Sequence, residues 1–170
     1  ARDSQTDAQK QFASALAEFT SLINFDGGDL ESVYDGLNSQ YLESEAAAKA
    51  VSKRIDKVES VAEALFSEWE EELNLYTNAK LKRDSQSKLR ETQTQYKSML
   101  RAMRKVESSM PPVLSALQNN VLYLKHNLNA SAIGALQGEF SVIKSDVNNL
   151  IKEMNAAIEQ SDSFIAAMKG

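Results

Sequence analysis

Apolar residues recur along this chain by alternating steps of three and four, the spacing that gathers side chains on one face of an α-helix. Four helical segments follow from it. The first runs from about Ser4 to Ile23, with Ala8, Phe12, Leu16, Phe19 and Ile23 on one face. Asn24-Phe25-Asp26-Gly27-Gly28-Asp29 ends it, because glycine suits a left-handed C-cap and Asp29 suits the next N-cap. The second segment carries the strongest signal: Tyr34, Leu37, Tyr41, Ser44, Ala48, Val51, Ile55, Val58, Ala62, Leu65 and Trp69. Only Ser44 is not apolar, and the sustained seven-residue repeat is that of coiled-coil-like packing. A helix from Leu30 to about Tyr76 is roughly 70 Å long, which makes it the spine of a rod rather than the core of a globule.

A break near Thr77-Asn78-Ala79 precedes the third segment, which carries Leu89, Thr92, Tyr96, Met99, Met103, Val106 and Met110. Pro111-Pro112 then removes two amide donors and biases Met110 away from helical geometry. The pattern resumes as Leu114, Leu117, Val121, Leu124 and Leu128, with a step of four from Met110 where three is due. One long kinked helix, or two helices nearly in line, both fit. After a turn at Asn127-Leu128-Asn129, the fourth segment shows Ile133, Leu136, Phe140, Ile143, Val147, Leu150, Met154, Ala157, Ser161, Phe164 and Met168.

Short connections make sequential helices antiparallel. The expected fold is therefore all-α: an elongated antiparallel bundle of three long helices plus a shorter N-terminal one, kinked near Pro111-Pro112. Segment one covers only the half of the rod near residues 25–30. Four helices pack there and three near residue 79. If the native chain extends segment one upstream, the bundle is four-helical throughout. The chain opens Ala1-Arg2-Asp3 without methionine and reads as a single domain over residues 1–170, trimmed of any targeting segment.

Composition agrees with this picture. Two prolines and six glycines in 170 residues leave room for few turns. Zero cysteines exclude disulfides, thiol catalysis and cysteine metal sites. No apolar run is long enough to span a membrane. A net charge of −5 weighs against nonspecific binding to nucleic acid or acidic membranes.

Charge is segregated, however. Lys80, Lys82, Arg83, Lys88, Arg90, Lys97, Arg101, Arg104 and Lys105 are opposed locally only by Asp84 and Glu91, while Glu63, Glu68, Glu70, Glu71 and Glu72 form an acidic stretch just upstream. In a hairpin centred near residue 79 the two stretches meet, and the simpler reading is that they set antiparallel register. Each exposed pair would stabilise by only about 0.2–1 kcal/mol. The functional reading is a basic surface for phospholipid headgroups or an acidic partner. Lys97, Arg101, Arg104 and Lys105 are its best candidates, being furthest from the acidic stretch and spaced along one face.

Other features carry less. Asp26-Gly27-Gly28-Asp29 lacks the further oxygen ligands of a calcium loop and reads as a helix corner. Gly134 and Gly138 suggest a crowded helix crossing in the four-helix half. Trp69, Tyr34, Tyr41, Tyr76, Tyr96, Phe140 and Phe164 fall on or beside the apolar stripes and are expected in the core, although Tyr96 beside Lys97 hints at base stacking. His126 is the only histidine, so neither a histidine-containing di-metal site nor a second catalytic imidazole can be built. The chain therefore reads as a non-enzyme with no cofactor and no metal.

The stretches Asn24–Glu31, Leu65–Leu73, Leu124–Ala130 and Leu136–Glu139 together resemble a family of bacterial proteins known only as a domain of unknown function, often with a lipoprotein-like N-terminus. That resemblance implies a Gram-negative cell envelope, on the periplasmic side, with a lipidated cysteine upstream of Ala1 as a peripheral anchor. It supplies no activity and no catalytic residues. The expectation is a structural or interaction module that binds an unknown protein partner or a second copy of itself, and no nucleic acid. The alternative is a membrane-surface or curvature-sensing rod that uses the basic stretch 80–105. An enzyme or metal-binding bundle is the third reading.

Overall fold

A computed structural model describes residues 2–25 and 28–169. Helix α1 spans Arg2–Ile23, α2 Leu30–Glu72, α3 Ala79–His126 and α4 Ala130–Lys169, with a 3₁₀ turn at Leu73–Leu75. The all-α antiparallel bundle is as expected. At 1.5 Å per residue, the three long helices extend about 60–72 Å and α1 only about 33 Å.

Each corner is closed by local hydrogen bonds. Asn24 and Phe25 donate back to the carbonyls of Thr20 and Leu22 at 3.1 Å each. Gly28 then turns the chain at φ +124°, a conformation that side chains disfavour. Asp29 caps α2, accepting from the Glu31 amide at 3.0 Å and the Ser32 hydroxyl at 2.9 Å. Asp26 and Gly27, the other two residues of the expected helix corner, lie outside the described residues. At the opposite end, α2 gives way to the 3₁₀ turn at Leu73, so it stops short of the expected Tyr76. The Asn78 side chain caps α3 by accepting from the amides of Lys80 and Leu81, at 3.0 and 3.2 Å. At the third corner Asn129 accepts from the Ala132 amide at 3.0 Å, the N-cap interaction of α4.

The helices form a ring. α1 packs on α2 and α4, and α3 packs on the same two from the far side. Among the described residues, neither diagonal pair, α1 with α3 or α2 with α4, makes a close backbone approach. In the half that α1 occupies, the core is complete. Phe12, Phe19 and Leu22 of α1 are fully buried with Leu37 of α2, Leu117 and Leu124 of α3 and Leu150 of α4. Phe19 stacks on Phe140 at 5.9 Å between centroids. Each such large side chain stabilises the fold by about 1.5–3 kcal/mol.

Helix α3 runs unbroken through Pro111-Pro112. The prolines cannot donate to the carbonyls of Glu107 and Ser108, but both rings sit on the exposed face while Met110 and Val113 are buried. Val113, three residues after Met110, takes the core position, and Leu114 is only partly buried. The apolar register therefore never slips, and continuous packing on both sides holds the helix together. Other expectations fail. Tyr76 and Leu128 are exposed, because both lie in corners beyond the packed stripes. A Cβ at Gly134 or Gly138 would meet nothing within 4 Å, so no crowded crossing exists there. The close approach lies elsewhere, where the Glu18 side chain of α1 lies over Gly36 of α2.

Candidate interaction surface

Four cations on α3 are the sequence-derived candidates, and the bundle separates them. Lys97, Arg101 and Lys105 are exposed. Among the described residues, none of the three has a carboxylate within ion-pairing distance. Arg104 instead turns toward α2. Its Nη1 donates to Asp56 Oδ1 at 3.0 Å and to Glu107 Oε1 at 2.9 Å, and its Nη2 donates to Glu59. The Glu59 hydrogen bond raises the guanidinium pKa above its ordinary value, with Glu107 and Asp56 adding to the effect and partial burial opposing it. Arg104 is thus engaged in tying α2 to α3. The remaining three cations are not a purely basic face, since Lys97 shares a shallow groove with Glu59, Glu63 and Glu70.

The expected charge pairing at the hairpin is not formed by ion pairs. Among the described residues, none of Glu63, Glu68, Glu70, Glu71 and Glu72 pairs with the basic stretch. Glu70 accepts a hydrogen bond from Gln93 at 3.4 Å, and Trp69 Nε1 donates to Ser85 Oγ at 2.8 Å. Such exposed pairs gain too little to offset the entropy of ordering two long side chains. Register between α2 and α3 is set instead by burial of Phe66, Leu73, Leu89 and Tyr96, and by Arg104. Tyr96 packs edge-on to Phe66 at 5.4 Å and near Phe164 at 6.3 Å, which removes it from any stacking surface. Burial pushes its phenol pKa up, as do Glu59 and Glu63 in turn, while Arg104 opposes.

A second surface escaped the sequence reading. Where α1 ends, α2 and α4 do not close over α3, and a trough of about 270 Å³ remains. Val58, Val61, Ala62 and Leu65 of α2 form one wall, Tyr96 and Met99 of α3 the floor, and Phe164 and Met168 of α4 the other wall. Several of these residues continue the apolar stripes, yet Leu65 is 45% and Met168 50% exposed. Val61, off the stripe, is 60% exposed. The signal was present: the stripes of α2 and α4 outrun the reach of a 22-residue α1.

The interior also holds polar groups without partners. Gln5 is fully buried, and neither amide atom of its side chain has a hydrogen-bond partner among the described residues. Asn120 donates to the Ala116 carbonyl at 2.6 Å, but its oxygen has no partner among the described residues. No helix among the described residues is long and apolar enough to cross a membrane. Neither curated proteins nor solved structures match this chain. A family model matches residues 1–168, and the chain accordingly belongs to the family described as protein of unknown function (DUF2959).

Proposed function

We propose that this protein is a non-enzymatic structural or protein-interaction module of the bacterial cell envelope. The observation that carries the interaction role is the uncovered apolar trough. Rods of this kind bury apolar stripes, and the trough between α2, α3 and α4, where Val61, Leu65 and Met168 stay exposed, is a surface suited to contact. The envelope setting is supported by the lipoprotein-like resemblance of the corner and helix-end motifs. The non-enzymatic reading is supported by the sequence, which has one histidine, no cysteine and no phosphate-loop or metal-ligand motif. Photo-crosslinking in cells, with the reactive group placed along α2 and α4, tests the reading. Recovery of one specific protein adduct is expected. A chain that gives no adduct from any position would refute it.

A second reading, peripheral membrane binding, draws on Lys97, Arg101 and Lys105, which are exposed and have no ion-pair partner among the described residues. Sedimentation with anionic and neutral vesicles at two salt concentrations decides it. Binding confined to anionic vesicles and lost with salt favours this reading. Arg104 belongs to the ion-pair cluster with α2 and would contribute little.

A further inference from the structure

We infer that the shallow groove between α2 and α3 binds a linear aliphatic polyamine, with its ammonium groups on Glu63, Glu70 and the Tyr96 hydroxyl and its methylene chain against Phe66 and Leu100. The groove opens between α2 and α3, whereas α1 packs on α2 and α4 and, among the described residues, makes no close backbone approach to α3.

Charge in this groove is out of balance. Glu59, Glu63 and Glu70 line it from α2, and Lys97 is the one cation among its lining residues. Glu59 shares the single Arg104 guanidinium with Asp56 and Glu107. Among the described residues, Glu63, Glu70 and Lys97 have no ion-pair partner. Glu70 accepts a weak hydrogen bond from the Gln93 amide, at 3.4 Å. The uncompensated charge is therefore negative, and a cation entering the groove is favoured. Among the described residues, no three acidic or histidine side chains are arranged to hold a metal ion. The charge is strung along the helix instead. Glu63 and Glu70 are two turns apart on one face of α2, a separation of about 10 Å. An extended organic cation with ammonium groups at that separation matches them.

The Tyr96 hydroxyl points to the same occupant independently. Tyr96 is only 7% exposed, and its oxygen has no hydrogen-bond partner among the described residues. Buried polar groups are ordinarily satisfied, by the protein or by a bound molecule. Tyr96 lines the groove, and its hydroxyl end stands beside the groove's carboxylates: after burial, Glu59 and Glu63 are what raise its pKa, with Arg104 opposing. An ammonium that bridges Glu63 and this oxygen supplies the missing partner. Phe66 and Leu100 give the groove, about 380 Å³ in volume, an apolar lining. The methylenes of a polyamine lie on such a lining as the stem of a lysine lies on apolar surface.

Isothermal titration calorimetry of the whole chain with spermidine at low salt tests this, and one-to-one binding is expected. Putrescine, a four-carbon diamine too short to reach both Glu63 and Glu70, should bind at least about fivefold more weakly. Glu63→Gln with Glu70→Gln should weaken spermidine binding by at least about tenfold. Glu43→Gln with Asp146→Asn removes the same charge from exposed positions outside the groove and should leave affinity within about twofold. Tyr96→Phe keeps the ring and should weaken binding by about threefold to tenfold. Lys97→Ala removes a competing cation and should tighten it by about threefold. Far-UV circular dichroism should be unchanged, because Glu63, Glu70 and Lys97 are exposed and phenylalanine fills the place of the Tyr96 ring. No spermidine binding overturns the inference. So do equal losses in the two double variants, or displacement of spermidine by magnesium chloride at equal concentration, since either marks general attraction to an acidic surface. Unchanged affinity in Tyr96→Phe, or weaker binding in Lys97→Ala, would overturn the assigned contacts and the inference with them. Tighter binding of trilysine than of spermidine would assign the groove to lysine side chains of a partner protein and overturn it as well.

Discussion

The two halves of this rod are built from the same stripes and meet different fates. In the half near Gly28, α1 lies across α2 and α4, and Phe12, Phe19 and Leu22 vanish from solvent. In the half near Asn78 the stripes of α2 and α4 continue, but Leu65 and Met168 are about half exposed. The contrast teaches that a heptad pattern specifies which residues can be buried together, whereas the presence of a fourth helix decides whether they are. Fewer buried side chains support the open half, and its stability leans more on the α2–α3 contacts around Phe66, Tyr96 and Arg104.

Substitution can break the comparison most directly. Phe19→Ala in the closed half should cost about 3–5 kcal/mol, the usual loss for a buried phenylalanine. Leu65→Ala in the open half should change stability by less than about 0.5 kcal/mol, as exposed positions do. Urea denaturation followed by circular dichroism measures both, and comparable losses would mean the trough is covered in solution. A smaller effect is expected at the prolines. Pro111→Ala restores an amide to the Glu107 carbonyl without disturbing the core and should stabilise α3 by about 1–3 kcal/mol. A loss instead would show that the missing donor relieves strain in packing α3 along the whole rod.

Arg104→Ala sharpens the account of the open half. It leaves Asp56, Glu59 and Glu107 facing one another unneutralised and should cost about 1–2 kcal/mol. Lys105→Ala, one residue away and unpaired among the described residues, should fall within about 0.5 kcal/mol of the parent. The smallest effect is that of Tyr96→Phe. The folded state holds the Tyr96 proton more tightly than the unfolded chain, because burial and then Glu59 and Glu63 raise its pKa. Stability from this group is full below the ordinary value of 10.0 and is lost as pH rises through the raised value. Tyr96→Phe should therefore stay within about 1 kcal/mol at neutral pH, since the hydroxyl has no partner among the described residues, and should flatten the alkaline decline. Tyr41, raised first by burial and then by Glu45, retains its own share of that decline.

Much of the fold was legible because helix formation and amphipathicity are local. Steps of three and four place Val51, Ile55, Met103 and Met154 on inward faces whatever their partners, and all four are buried. Corners were legible at Gly28, Asp29 and Asn78, where a positive φ or a side-chain cap is written in one or two residues. The candidate surface was read less well. Spacing put Lys97, Arg101, Arg104 and Lys105 on one face, yet Arg104 rotates away because Asp56, Glu59 and Glu107 converge on it. Which carboxylates reach a given cation depends on the axial offset between α2 and α3, a quantity absent from either helix alone.

By itself the sequence determined that this protein is four helices in antiparallel order, where they turn, and which faces are apolar. These follow from periodicity, capping and short connections, all short-range physics. Only the tertiary structure decided that α3 continues unbroken through two prolines, that Gly36 rather than Gly134 or Gly138 meets a neighbouring helix, and that the acidic and basic stretches do not pair. It alone left Leu65 and Met168 of the α2 and α4 stripes exposed. Each of these depends on what stands opposite a residue, and burial and ion pairing are properties of pairs of helices rather than of any one.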